Sequence, residues 1–286
     1  MTSMLCGTAR LSLLCAIAVL CFTGCSWVER TTKTPPPAAE NRAATDVLLP
    51  FGNPSGAYAD PGNHENYLVT KRSFAISYND RRGTANWVAW RTTAADLGET
   101  IPRPQFEPDP DLPRGFGVIN PSYYSRSGYD RGHLIPSADR FADRGLNADT
   151  FLMTNIAPQA KGLNQYPWEK LERYARGIVR RGDEIYTIAG VYGEQGRLKG
   201  RVTVPTNFWK VIVVLPHGSN EISEATKVIA VDMPNSGSVA SANWQKYLTT
   251  ARAIEQKTGY NFLSALRPEV QDAIETRPDV HPNASR

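Results

Sequence analysis

Residues 163–183, "LNQYPWEKLERYARGIVRRGD", decide how the rest of the chain is read. Trp168, Leu171, Ala175, Ile178 and Val179 recur at helical spacing, Pro167 is tolerable in a first turn, and Gly182 stands where a helix stops. The spacing predicts an amphipathic helix beginning near Asn164. Asn164, Glu172 and Arg176 are separated by eight and four residues, so on that helix they return to nearly the same face. An amide oxygen is a hard, neutral ligand suited to Mg²⁺, which keeps most of its waters and takes few protein ligands. Glu172 is then available to hold water on the metal, and Arg176 to balance charge. The same spacing also suits a plain exposed Glu–Arg pair, worth roughly a few tenths of a kcal/mol.

Strands surround this helix in sequence. "KRSFAISYND" and "ANWVAWRTT" read as two strands joined by a turn at "NDRRG", with Phe74, Ile76 and Tyr78 alternating against polar neighbours. The proline-rich "IPRPQFEPDPDLP" reads as a loop. Downstream, "EIYTIAGVYG", "RVTVPTNFWKVIVVLP" and "TKVIAVDMP" read as further strands, and "SVASANWQKYLTTARAIEQKTG" as a second helix. Strands outnumber helices and hairpin spacings recur. The fold class expected is therefore α+β, a central, mostly antiparallel sheet flanked by helices.

Upstream of the helix, "YDRGHLIPSADR" (residues 129–140) crowds polar residues around His133. A neutral imidazole accepts a proton near pH 7, and does so best when its other nitrogen is held. A lone loop histidine more often has only a structural role, but the polar groups recurring downstream weaken that reading here. Gly132 is expected to let the backbone turn tightly before His133.

Composition bounds the classes. The chain has 286 residues and a formal charge of +4, which becomes +3 without the first 24 residues because Arg10 is the only charge there. Bulk charge is thus too small to argue a nucleic-acid partner. Of the 32 basic residues 23 are arginine, which suits bidentate phosphate contacts as well as it suits surface salt bridges. The histidines, at 64, 133, 217 and 281, are scattered, and all four cysteines lie at or before Cys25, so a structural zinc site is not expected.

The N-terminus carries a separate message. Arg10 precedes "LSLLCAIAVLCF", 12 residues long, which fits a signal-peptide core and is shorter than a membrane-spanning helix. The run ends in "FTGC", similar to the lipobox of bacterial lipoproteins, with Phe22 where leucine is usual. Residues 1–24 read as a lipoprotein signal peptide. Cys25 is the lipidation site that the resemblance implies, and cleavage to a fully soluble secreted protein is the alternative. Cys25 with the proline-rich "TTKTPPPAAENRAATD" behind it makes residues 25–47 a tether, and the folded domain is expected over residues 48–286. Localisation is expected at the cell envelope, in the outer membrane if the cell is Gram-negative, or outside the cell.

Taken together, "DRGHLIPSAD" and "FLMTNIAPQAKGLNQYPWEKLERYAR" resemble the DNA/RNA non-specific endonucleases, which have a ββα-metal core. The resemblance runs from about Leu68 to Tyr260 and takes in "YNDRRGTANWVAW", "RPQFEPD" and "VPTNFWKVIVV". It implies His133 as general base, Asn164 as the only direct protein ligand of the metal, and Glu172 as the acid that orients metal-bound water. It also implies three arginines that bind substrate and act in catalysis: Arg131, the signature arginine; Arg176, one turn beyond the acid; and Arg103, the phosphate-supporting arginine of the upstream loop. Asn155, in "TNIAPQ", is assigned to shaping the site. The implied cofactor is Mg²⁺, with Mn²⁺ as an alternative. The implied partners are DNA and RNA, cut to 5′-phosphate ends, and the membrane through the N-terminal lipid. An inhibitor protein and the oligomeric state are left open by the sequence. Two other classes compete: a catalytically silent envelope lipoprotein that binds nucleic acid or cell-wall polymer, and a metal phosphodiesterase acting on small substrates.

Overall fold

Strand "NFWKVIVVL", Asn207–Leu215, shows how the sheet is built. Phe208 and Ile212 enter one core, while Trp209, Val211, Val213 and Leu215 enter a second core on the opposite face. A strand covered on both faces needs apolar residues at successive positions, which explains a run that alternation alone does not. The computed structural model describes residues 45–279. The signal peptide, Cys25 and all of the tether before residue 45 lie outside them.

The central sheet contains β1 (Tyr67–Thr70), β2 (Phe74–Asn79), β3 (Thr84–Thr92), β6 (Glu184–Tyr192), β9 (Asn207–Leu215), β10 (Val228–Pro234) and β11 (Leu248–Thr249), in the spatial order β1-β2-β3-β6-β9-β10-β11. Every neighbouring pair is antiparallel. The remaining strands form two small antiparallel pairs, β4 (Tyr129–His133) with β5 (Ile156–Ala160) and β7 (Gly196–Leu198) with β8 (Val202–Val204). The turn expected at "NDRRG" joins β2 to β3, and Gly83 there has φ +66°, a conformation suited to glycine. All six residues of β2 are buried, Ala75 and Ser77 included. The expected alternation with solvent fails because the second face is also covered.

The helices that flank the sheet include α1 (Arg144–Asp149), α2 (residues 161–180), α3 (Ala251–Thr258) and α4 (Pro268–Glu275). Leu163, Trp168, Leu171, Ala175, Ile178 and Val179 of α2 pack on the first face of the sheet. Helices α3 and α4 cover the other through Ile254, Val270 and Ile274, beside Leu49 and Phe51. This is an α+β fold with helices on both faces of one antiparallel sheet. The unit β4–β5–α2 lies on the first face, and its three elements supply the site.

Helix α2 differs from the expectation at its entry. It begins at Lys161, and Asn164–Trp168 form a π-helical segment before regular α-helix resumes over Glu169–Arg180. Pro167 lies inside that segment rather than in a first turn. Proline has no N–H and its ring crowds the carbonyl four residues back, so widening the ladder by one residue is how the helix passes it. The expected second helix is also shorter. Trp244–Tyr247 form a 3₁₀ turn, Leu248 and Thr249 pair with Val231 and Ala230 as β11, and α3 starts only after Thr250. The Thr250 hydroxyl accepts from the Ala253 amide at 3.1 Å, an N-cap, and Gly259 at φ +74° ends the helix.

Candidate active site

Strand β4 delivers His133 at its last residue, opposite Ile156 of β5. Gly132 lies within this strand at no left-handed φ, so the expected tight turn is absent. Its role is steric. A Cβ there would stand 2.3 Å from Gln159 Oε1 and 2.5 Å from Gln159 Cβ, so only glycine lets the Gln159 side chain lie across β4.

The chain beyond His133 is clamped by Asn155. Its Nδ2 donates to the carbonyls of Ile135 (3.0 Å) and Thr150 (2.8 Å), and its Oδ1 accepts from the Ile135 amide (3.0 Å). The amide is fully buried and both its polar atoms are used, which suits a shaping residue and leaves nothing for a ligand. Asn155→Ala orphans these three backbone groups, and the expected loss of unfolding free energy is about 2–4 kcal/mol. Urea denaturation checks this, and a loss below about 1 kcal/mol contradicts the clamp.

Around the imidazole the surroundings are aromatic. Phe151 meets the His133 ring edge-on at 4.9 Å, and Phe106 lies at 5.4 Å. The Nε2 atom is buried without a hydrogen-bond partner among the described residues. Burial, with the Arg103 charge adding to it, pushes the imidazole pKa down to about 3. The ring is therefore neutral throughout the physiological range. Arg103 itself stands over Phe106 (5.2 Å) and Phe151 (5.4 Å), a cation–π arrangement that holds its guanidinium beside the histidine.

Helix α2 supplies the opposite wall. The π segment carries Asn164, whose Nδ2 donates to Asp130 Oδ2 at 2.9 Å, and Gln165 donates to the same oxygen at 3.0 Å. With Nδ2 so occupied, Oδ1 is the donor atom left for a cation. Glu172 is held from behind by Lys210, at 3.3 Å, and Arg176 by Asp139, at 3.2 Å. Burial raises the Glu172 pKa, and the charges of Lys210 and Arg176 oppose that rise. Asp139 also accepts from Trp90 Nε1 (3.0 Å) and Thr92 Oγ1 (3.2 Å), so both of its oxygens are committed.

Arg103, His133, Asn164, Glu172 and Arg176 all line one cleft of about 560 Å³. Arg131 is not among its lining residues. Its guanidinium donates to the Pro121 carbonyl (2.8 Å) and lies over Phe106 at 5.3 Å, outside the cleft wall. Among the described residues no three His, Cys, Asp or Glu side chains converge as a metal-binding group. The donor set is one neutral amide oxygen with a carboxylate on the same helix, which fits a hard cation that retains its waters.

Sequence reasoning passed over Asp130, Asp139, Lys210 and the aromatic pair Phe106 and Phe151. Two of these carried a signal. Asp130 sits three residues before His133, and Lys210 is the one charge in the apolar run "NFWKVIVVL".

Residues 52–269 match the family model described as DNA/RNA non-specific endonuclease. A nuclease of Nostoc sp. is 43% identical over 279 residues, covering 96% of this chain and 99% of its own length. The nuclease of Serratia marcescens is 27% identical over 252 residues, covering 84% of this chain and 91% of its own. Among solved structures, a chain in a crystal structure of the EndoG/EndoGI complex superposes with a TM-score of 0.66 at 21% identity, over 79% of this chain and 94% of that one. That likeness extends to the fold.

Proposed function

Because this chain belongs to the DNA/RNA non-specific endonucleases, we propose that it hydrolyses phosphodiester bonds in both DNA and RNA, with His133 as general base and a divalent cation held at Asn164. The observation that carries the reading is the convergence of Arg103, His133, Asn164, Glu172 and Arg176 on one cleft. Hydrolysis at phosphorus requires removal of a proton from water, positive charge on the phosphate oxygens, and help for the departing oxygen.

His133 accepts the proton. Its partly buried, neutral ring has a free lone pair at pH 7, and a phosphate anion entering beside it moves its basicity back toward the working range. Glu172, held by Lys210 at 3.3 Å, orients water from the helix side. Arg103, Arg176 and Arg131 offset phosphate charge, Arg131 reaching the substrate from beside Phe106, where it also donates to the Pro121 carbonyl. Asn164 Oδ1, aimed by Asp130, would hold Mg²⁺, or Mn²⁺ in its place. When bound, the cation supplies Lewis-acid charge on the phosphate and the leaving oxygen. Breaking the bond to the 3′ oxygen leaves 5′-phosphate and 3′-hydroxyl ends. The side chains of the cleft address phosphate and water, not base edges, so low sequence preference follows.

Digestion of supercoiled plasmid and of structured RNA by the purified protein, with and without EDTA, tests the reading. Both substrates are expected to be cut, EDTA to abolish cleavage, and the DNA ends to ligate without added phosphate. Cleavage indifferent to EDTA, or ends carrying 3′-phosphate, overturns it. A chromogenic small diester hydrolysed in preference to plasmid favours the phosphodiesterase alternative.

For location, the reading is an exported protein anchored by lipid at Cys25. Among the described residues no helix is long and apolar enough to cross a membrane. Cys25→Ser is expected to move the protein from the membrane fraction to the soluble one, because acylation needs the thiol. Retention of the variant on membranes at high salt contradicts lipidation.

A further inference from the structure

Behind the cleft lies a buried charge network that the reaction above does not use directly. Lys210 is 2% exposed and sits in the middle of β9, opposite Ala189 of β6 and Val231 of β10. Its neighbours two residues away on the same face, Phe208 and Ile212, belong to the core beneath α2. An ammonium group at such a position is expensive to bury unless it is paired. Its Nζ lies 3.3 Å from Glu172 Oε1, 4.2 Å from the Trp168 ring centre and 5.5 Å from that of Trp90. Trp90 in turn donates to Asp139, which pairs with Arg176. Two cations and two carboxylates thus balance inside the fold, with Glu172 and Arg176 reaching the cleft and Lys210 and Asp139 absent from its lining.

We propose that Lys210 is a positioning residue for the nuclease reaction: it fixes one oxygen of Glu172 from beneath the cleft floor and leaves the other for water in the cleft. The inference rests on Glu172 having the role given above. A lysine meant only for packing has no reason to be charged there, since a methionine fills the same space without desolvation. The two indole faces explain why a compact ammonium is used. They hold the stem and head on a fixed line between Trp168 and Trp90, so the Nζ–Glu172 distance is set by packing rather than by a flexible surface chain. Trp168 lies at the end of the π segment that carries Asn164, so one lysine touches both the acid and the segment presenting the proposed cation ligand.

The test compares Lys210→Met, Lys210→Arg, Glu172→Gln and the double variant Lys210→Met/Glu172→Gln in the full-length protein, by kcat and KM on a defined duplex and by thermal unfolding. Lys210→Met is expected to lower kcat by about 10²-fold with KM within about threefold of the parent, and Lys210→Arg to recover at least about tenfold of that loss. The double variant is expected to be no slower than Glu172→Gln alone, because two residues acting through one contact are not additive. It also removes both charges together, so it folds even if Lys210→Met, with its stranded carboxylate, does not. A folded Lys210→Met with near-parental kcat, or losses that multiply in the double variant, overturns the proposal while leaving Glu172 in its role. Full activity of Glu172→Gln instead overturns the assignment of Glu172 itself, and the positioning role with it.

Discussion

Replacing His133 with alanine is expected to lower kcat by about 10²- to 10⁴-fold, the usual scale for losing a general base, with the fold intact. The ring sits at the end of β4 and touches Phe106 and Phe151 without a hydrogen bond at Nε2, so its loss leaves a small apolar gap and no orphaned partner there. Steady-state rates on plasmid, with circular dichroism on the same sample, check the result. A folded variant within about threefold of the parent contradicts the assignment. The pH dependence supplies a second reading of the same group. Its folded pKa, about 3, lies below its ordinary value of 6.5, so below pH 6.5 the unfolded chain binds the extra proton and the folded one does not. Stability is therefore expected to fall as pH drops from 6.5 toward 3, and His133→Phe to flatten that slope. For the same reason the acid limb of kcat/KM is expected well below 6.5, since the free enzyme keeps its base neutral there. An acid limb at 6.5 or above contradicts a desolvated base.

Asn164→Ala is expected to reduce activity as far as chelation does, because no other side chain is assigned as a direct ligand. Its independent readout is thermal. A cation that binds only the folded state raises the unfolding temperature, and this Mg²⁺-dependent rise is expected in the parent and absent in the variant. Asp130, half-buried, loses one of two donors but keeps Gln165, so the variant is expected to fold. A preserved Mg²⁺ shift in Asn164→Ala, with activity intact, means the cation is held elsewhere.

Legibility in the sequence followed the range of the forces involved. The helical spacing of Trp168, Leu171, Ala175, Ile178 and Val179 is a local pattern, and those residues do form the buried stripe of α2. Local patterning also located β2, β3, β6, β9 and β10. It failed where a partner far along the chain decides the outcome. "YDRGH" has no apolar alternation to mark β4 as a strand; it becomes one by pairing with Ile156–Ala160, where even the nearest partners, His133 and Ile156, are 23 residues apart, a pairing that one chain segment cannot announce.

 The break between Tyr247 and Ala251 has the same origin, since Leu248 and Thr249 leave the helical pattern to pair with β10.

By itself, the sequence determined the α+β class, the main helix and most of the sheet, and it singled out His133, Asn164, Glu172, Arg176 and Arg103 as residues worth bringing together. His133, Asn164, Glu172 and Arg176 follow from side-chain chemistry and periodicity, which are properties of short segments, while Arg103 follows only from the resemblance to the endonuclease family. Only the tertiary structure decided that the five share a cleft and that Arg131 stands outside its wall. It also decided that Gly132 makes room for Gln159, that Asp130 aims Asn164, and that Lys210 and Asp139 back the helix from the sheet. Each of those is a contact between segments 27 or more residues apart, the span from Gly132 to Gln159 being the shortest. Burial then sets the chemistry: the same imidazole that titrates near neutrality in water is held neutral by desolvation between two phenyl rings.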